Sequence, residues 1–92
     1  MKIRVRLGTQ AQDALRRAPP GPKKHLRQAL EALGSAPRGL DTRELRQVGP
    51  GPAVYRMKVG SWRIAFRWVG KDIEVVRIFH RRDGYGWMER LP

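Results

Sequence analysis

Residues 54–69 constrain the fold more than any other stretch of this chain. Two alternating runs, 54–59 and 62–69, flank Gly60-Ser61. A glycine followed by a small polar residue suits a two-residue type II′ turn, whose twist matches that of paired strands. Such a turn fixes the register. Val59 then faces Trp62, Met57 faces Ile64 and Tyr55 faces Phe66, so one face of the hairpin is wholly apolar. On the other face Lys58 meets Arg63, Arg56 meets Ala65 and Val54 meets Arg67. Like charges set directly opposite each other weaken a sheet. A cationic face that tolerates them points to an anionic partner.

A third strand, 73–80, is apolar on both sides, with Ile73, Val75 and Phe79 on one and Val76 and Ile78 on the other. That pattern suits a central strand covered on both faces. With Gly70-Lys71 as a second two-residue turn, Glu74 faces Arg67, Arg77 falls opposite Ile64 on the apolar face, and His80 points to the cationic side. A three-residue turn reverses those faces.

Upstream, residues 2–7 alternate basic and apolar as a half-buried strand does. Thr9 with Gln12 resembles a capping box, and Ala11, Ala14, Leu15 and Ala18 follow at helical spacing. Pro19-Pro20-Gly21-Pro22 is expected to end that helix. A second helix is predicted from about 22 to 33 on the stripe Leu26, Ala29, Leu30 and Leu33, with Gly34 at C′. Residues 35–52 read as a connector anchored by Leu40, Leu45 and Val48. In the tail, Trp87, Met88 and Leu91 are placed to cover part of the sheet. The expected fold is a two-layer α+β domain: an N-terminal strand, then a two-helix hairpin packed on a mainly antiparallel four-stranded sheet, in the order β-α-α-β-β-β. Its 92 residues make a single domain, 1–92.

Charge narrows the function. Twenty Lys and Arg stand against eight Asp and Glu, a formal net charge of +12. Such an excess predicts a polyanionic partner, most often nucleic acid. The preponderance of Arg favours phosphate or carboxylate recognition through the planar guanidinium. The chain has no Cys and two isolated His, which excludes disulfides and thiolate catalysis and argues against a zinc site. No metal and no small-molecule cofactor are expected. No apolar run reaches membrane-spanning length, so a cytoplasmic protein without a membrane partner is expected.

The stretch YRMKVGSWRIAFRW followed by VVRIFHRRDGY resembles the RelE/ParE toxin superfamily of type II toxin–antitoxin systems. There, a cationic strand leads into a tight glycine turn and an aromatic-Arg pair, and a later apolar strand ends in a basic step with a tyrosine beyond it. The resemblance covers nearly the whole chain and implies the same two-layer fold. Its RelE-like branch cleaves mRNA in the ribosomal A site, without a metal, by attack of the substrate's own 2′-OH on the adjacent phosphate. Its ParE-like branch inhibits DNA gyrase without nuclease activity.

Carried over residue by residue, the resemblance implies that Arg63, Arg81 and Tyr85 are catalytic, with His80 a further candidate base. It implies that Arg56 and Lys58 bind RNA phosphates, and the cationic face adds Arg67 and Arg82 to that set. The favoured expectation is therefore a ribosome-dependent mRNA endonuclease with an acidic cognate antitoxin as partner. A gyrase inhibitor and a non-toxic basic nucleic-acid-binding module are the alternatives. This sequence departs from the family in its short tail and in a tyrosine set between Gly84 and Gly86.

Overall fold

The computed structural model describes residues 3–35, 42–44 and 53–87, of which 42–44 are described by their backbone. The chain runs β1 (Val5–Leu7), α1 (Thr9–Arg17), α2 (Pro20–Ser35), β2 (Thr42–Glu44), β3 (Tyr55–Val59), β4 (Trp62–Val69) and β5 (Asp72–His80), then a 3-10 turn, Arg81–Asp83. One sheet is ordered β1-β5-β4-β3-β2. The N-terminal strand lies parallel to β5, and the other pairings are antiparallel. All four expected strands are present. The connector adds a short fifth strand, β2, at the edge beside β3. Three residues carry too little pattern to announce a strand, and only the exposed edge of β3 makes it one. Leu40, Leu45, Val48, Met88 and Leu91 lie outside the described residues.

Both hairpin turns behave as their composition requires. Gly60 and Gly70 have φ of 61° and 63°, and among the described residues no other residue type has a positive φ. A positive φ at the first turn position alone is the sign pattern of a type II′ turn. The register of β3 on β4 follows from it, with Tyr55, Arg56, Met57, Lys58 and Val59 opposite Phe66, Ala65, Ile64, Arg63 and Trp62. Tyr55 stacks on Phe66 at 5.7 Å.

The two helices cover the apolar face. Ala11, Ala18, Leu26 and Leu33 pack with Met57, Ile64, Phe66, Ile73, Val75 and Ile78. Each large aliphatic side chain buried here contributes about 1.5–3 kcal/mol. That burial holds two short helices that propensity alone does not. Their ends differ from the sequence reading. Gly8, not Thr9, is the N-cap of α1 and makes no side-chain cap bond, while Gln12 reaches back to donate to the Leu7 carbonyl at 2.8 Å. Pro20, Gly21 and Pro22 form the first turn of α2 instead of separating the helices. Backbone N–H groups there have no intrahelical acceptor, so proline costs nothing. Gly34 lies inside α2 and not beyond it. A Cβ on it would come within 3.1 Å of the Ile3 carbonyl oxygen, and the Gly34 carbonyl accepts from Ile3 N–H at 2.7 Å. The glycine lets β1 lie directly on the helix.

The largest departure is a β-bulge. Phe66 pairs with Val75, but Ala65 pairs with Arg77, so Val76 is an extra residue in β5. Before it the two-residue turn holds, and Arg67 faces Glu74 as expected. After it every side chain changes face. Ile78 enters the helix-covered core, and Phe79 joins Val54, Ala65, Val76 and Trp87 in a second cluster on the opposite face. Arg77 leaves the apolar face, where a regular ladder would strand its charge, and His80 pairs with Trp62. His80 therefore lies on the Trp62 side of the sheet and not on the cationic side.

Candidate functional site

The cationic face and the end of the sheet where β3, β4 and β5 meet hold most of the predicted site. Lys58, exposed, lies opposite Arg63, half-buried. One nitrogen of Arg63, Nη1, donates to the carbonyls of Gly60 at 2.9 Å and Trp62 at 2.8 Å. The hairpin turn that sets the register also fixes this guanidinium. A cation held by its own backbone is preorganised for an anion and loses little freedom on binding.

Arg81 follows β5 in the 3-10 turn, and its backbone N–H donates to Ser61 O at 2.8 Å. That bond ties the turn to the Gly60-Ser61 hairpin, so Arg81, exposed, shares the sheet end with Lys58 and Arg63. His80 Nδ1 accepts from Arg82 N–H at 3.2 Å, and Asp83 Oδ2 accepts from His80 N–H at 3.3 Å. This reciprocal cap leaves the neutral imidazole proton on Nε2. The His80 ring sits edge-on to Trp62 at 5.6 Å. Its role in the structure is to cap the turn that carries Arg81 and Arg82.

Gly84, with φ of 68°, turns the chain so that the tail folds back onto the cationic face. Tyr85 packs edge-to-face on Phe79 at 5.3 Å and keeps 40% of its surface exposed. Phe79 is the β5 partner of Arg63, so Tyr85 arrives on the face that carries Arg63 and Lys58. Trp87 packs on Phe79 at 5.4 Å, and its indole N–H donates to Gly84 O at 3.1 Å. Lys58, Arg63, Arg81 and Tyr85 are thus brought together. His80 is turned to the other face by the bulge.

The remaining cations divide. Arg67 sits toward the far end of β4 and donates through Nε to Glu74 Oε1 at 2.8 Å, with Nη2 in an ion pair to the same oxygen at 2.8 Å. An arginine so paired is a weak phosphate ligand, because its carboxylate must first be displaced. Arg82 is exposed and acts on the turn through its backbone. Arg56 is on the face as expected, but it is 7% exposed. Sequence reasoning missed Arg77, which the bulge brings onto the cationic face, with its guanidinium 5.7 Å from the centre of the Trp87 ring. The available signal was a charge at a core position of a regular ladder.

Among the described residues no cluster of His, Asp or Glu is placed to hold a metal ion, and no helix is long and apolar enough to cross a membrane. The arrangement presents one cation held by its own backbone, two exposed ones and a phenol at the rim of a sheet.

Solved structures share this architecture. The archaeal RelE–RelB complex from Pyrococcus horikoshii OT3 matches with a TM-score of 0.69 at 24% identity, over 88% of this chain and 97% of that one. The toxin–antitoxin complex RelBE2 from Mycobacterium tuberculosis matches with a TM-score of 0.72 at 23% identity, over 88% and 100%. The RelB–RelE antitoxin–toxin complex from Methanococcus jannaschii matches with a TM-score of 0.70 at 21% identity, over 95% and 99%. At these identities the likeness is one of fold. No curated protein sequence matches significantly. The model of the ParE toxin of type II toxin–antitoxin systems does match, over residues 5–85, from the first strand to the tyrosine that closes the cationic face. With that span covered, and with the fold it shares with RelE proteins, this chain belongs to the ParE toxin family of the RelE/ParE superfamily.

Proposed function

We propose that this toxin is a ribosome-dependent mRNA endonuclease acting on a codon in the ribosomal A site. One observation carries the reading: Lys58, Arg63, Arg81 and Tyr85 meet at one end of the sheet, with Arg63 fixed by the Gly60 and Trp62 carbonyls. A binding face needs charge alone. A phosphoryl-transfer site needs fixed charge beside a group that moves a proton.

In the proposed reaction the substrate's 2′-oxygen attacks the adjacent phosphorus and loses its proton to a base. The phosphorus–5′-oxygen bond breaks, leaving a 2′,3′-cyclic phosphate, and the departing 5′-oxygen takes up a proton. Lys58 and Arg63 stabilise the added negative charge of the pentavalent phosphorane. By analogy with one oxyanion-hole donor, a fixed cation there contributes about 2.7–4 kcal/mol. Tyr85, on the same face as the cations, is better placed than His80 to exchange a proton with the substrate. Arg81 stands at the rim, where it would neutralise the leaving-group side. The partner is an acidic antitoxin that covers the same cations, as charge complementarity favours.

A second reading, gyrase inhibition without cleavage, is favoured by the match to the ParE family model. Inducing this chain alone and mapping a reporter mRNA by primer extension separates the two. The endonuclease reading expects growth arrest with new cleavages inside translated codons, both lost in Arg63→Ala. Arrest with intact mRNA and damaged DNA would replace it with gyrase inhibition.

A further inference from the structure

The hairpin turn Gly60-Ser61-Trp62 is a shared frame for two of the cations. The Gly60 and Trp62 carbonyls accept from the Arg63 guanidinium, and the Ser61 carbonyl between them accepts from the Arg81 backbone N–H at 2.8 Å. Arg63 is held by its side chain, whereas Arg81 depends on the 3-10 turn Arg81–Asp83 that carries it. So short a turn makes too few bonds of its own to hold its shape. His80 supplies the rest. Its Nδ1 accepts from Arg82 N–H at 3.2 Å, and its N–H donates to Asp83 Oδ2 at 3.3 Å. Gly84 N–H, 3.4 Å from Arg81 O, closes the turn, and Tyr85 follows directly.

The Nδ1 bond depends on a proton. A neutral imidazole accepts at one nitrogen, and a protonated one donates at both. Imidazole is the side chain that makes this change between about pH 5 and 8. Once protonated, His80 Nδ1–H and Arg82 N–H point at each other across the cap, and the bond is lost. Arg81, Arg82 and Asp83 are the charged groups of the ring's own turn, and Asp83 offers the new N–H a carboxylate. From β4 the ring meets Trp62, uncharged and edge-on at 5.6 Å. In α1, on the same side of the sheet as Trp62, Asp13 is paired with Arg16 and Arg17. Lys58 and Arg63 lie on the other face. We propose that His80 is a positioning residue whose neutral imidazole holds the 3-10 turn, keeping Arg81 at the sheet end with Lys58 and Arg63, and that a second proton on the ring releases the turn. Its effect on cleavage deepens the endonuclease reading and rests on it. Its effect on the turn does not.

The test uses the full chain with His80→Asn and His80→Gln, each checked for cooperative unfolding. Asparagine carries Oδ1 where imidazole carries Nδ1 and is a favoured cap, but it takes up no proton in this range. Glutamine sets its amide one bond farther out and misses the cap. Protection of the Arg81 and Arg82 N–H groups against exchange is read relative to an unstructured chain at the same pH. In the wild type it falls about fivefold, the worth of one cap, as the His80 ring resonances report protonation. In His80→Asn it stays high throughout, and in His80→Gln it is low at every pH. Single-turnover cleavage of ribosome-bound mRNA follows the same order: His80→Asn cleaves as the wild type does at about pH 8, and His80→Gln is slower by about fivefold or more. The ratio of wild-type to His80→Asn rates then falls as pH is lowered, and the ratio cancels the pH dependence of every other group. Protection that ignores the ring's titration overturns the proposal, as does a rate ratio flat with pH. So does His80→Asn cleaving as poorly as His80→Gln, which would make the imidazole itself the proton carrier. If the protection pattern is seen and no mRNA is cut even by the wild type, the cap stands and the endonuclease reading falls.

Discussion

The side-chain amide of Gln10 exchanges two hydrogen bonds with the backbone of Ile78: Nε2 donates to Ile78 O at 3.0 Å, and Oε1 accepts from Ile78 N–H at 2.9 Å. The parallel ladder of β1 on β5 ends at Leu7 and Val75, and the bulge residue Val76 follows. Beyond it no strand among the described residues lies on that side of β5, and Gln10 from α1 stands in for one. The helix is thereby clamped to the strand at the point where the strand changes face.

Gln10→Ala leaves a part-buried N–H and C=O of Ile78 without partners. Two such groups predict a loss of about 2 kcal/mol, read as a lower urea midpoint at unchanged m-value. A change within 0.5 kcal/mol would show that water replaces the amide fully.

Deleting Val76 removes the extra residue and leaves Phe66–Val75, Ala65–Arg77 and Ile64–Ile78 paired as they are, now in a regular ladder. No side chain changes face, so the cost is the Val76 side chain lost from the second cluster, at most about 3 kcal/mol. The expected outcome is cooperative thermal unfolding at a lowered temperature. Loss of the cooperative transition would show that the strand needs the local twist of the bulge and not only its register.

Arg67 and Lys58 carry the same charge but differ in their partners. Lys58→Ala should weaken binding to single-stranded RNA and lower its salt slope by about 0.7, whereas Arg67→Ala leaves the slope unchanged. The Arg67–Glu74 pair is part-exposed, so its loss costs stability about 0–1 kcal/mol. Salt-dependent binding curves of the two variants decide it. Equal reductions would show that Glu74 yields Arg67 to the strand.

Tyr85→Phe keeps the ring on Phe79 and removes the hydroxyl. If the phenol exchanges the proton, single-turnover cleavage of ribosome-bound mRNA drops about 10²–10⁴-fold, and the melting temperature stays within a degree or two. Unchanged cleavage would pass the proton transfer to another group.

The two hairpin turns were legible because their determinants are local. Gly60 and Gly70 each supply a positive φ at the position the turn needs, and register follows by counting outward, to Lys58 opposite Arg63 and Glu74 opposite Arg67. The helix stripes and the central place of β5 were legible for the same reason, as periodicity and composition act on neighbours. The short strand Thr42–Glu44 and the proline-rich start of α2 were not, since each depends on what lies alongside or on which N–H groups have no acceptor.

What the sequence by itself determined is four of the five strands, the two helices, the hairpin register and the cationic face of β3 and β4. Only the tertiary structure decided which side β5 shows beyond Val75. A bulge has no strong local code, and it forms here because Ile78 has a core to enter, Gln10 supplies its hydrogen bonds, and Phe79 and Arg77 find Trp87 on the far side. That one extra residue separates His80 from the cations and brings Arg77 to them. A pattern of alternating residues counts positions along a strand, whereas the face each side chain reaches is set by the partners waiting there.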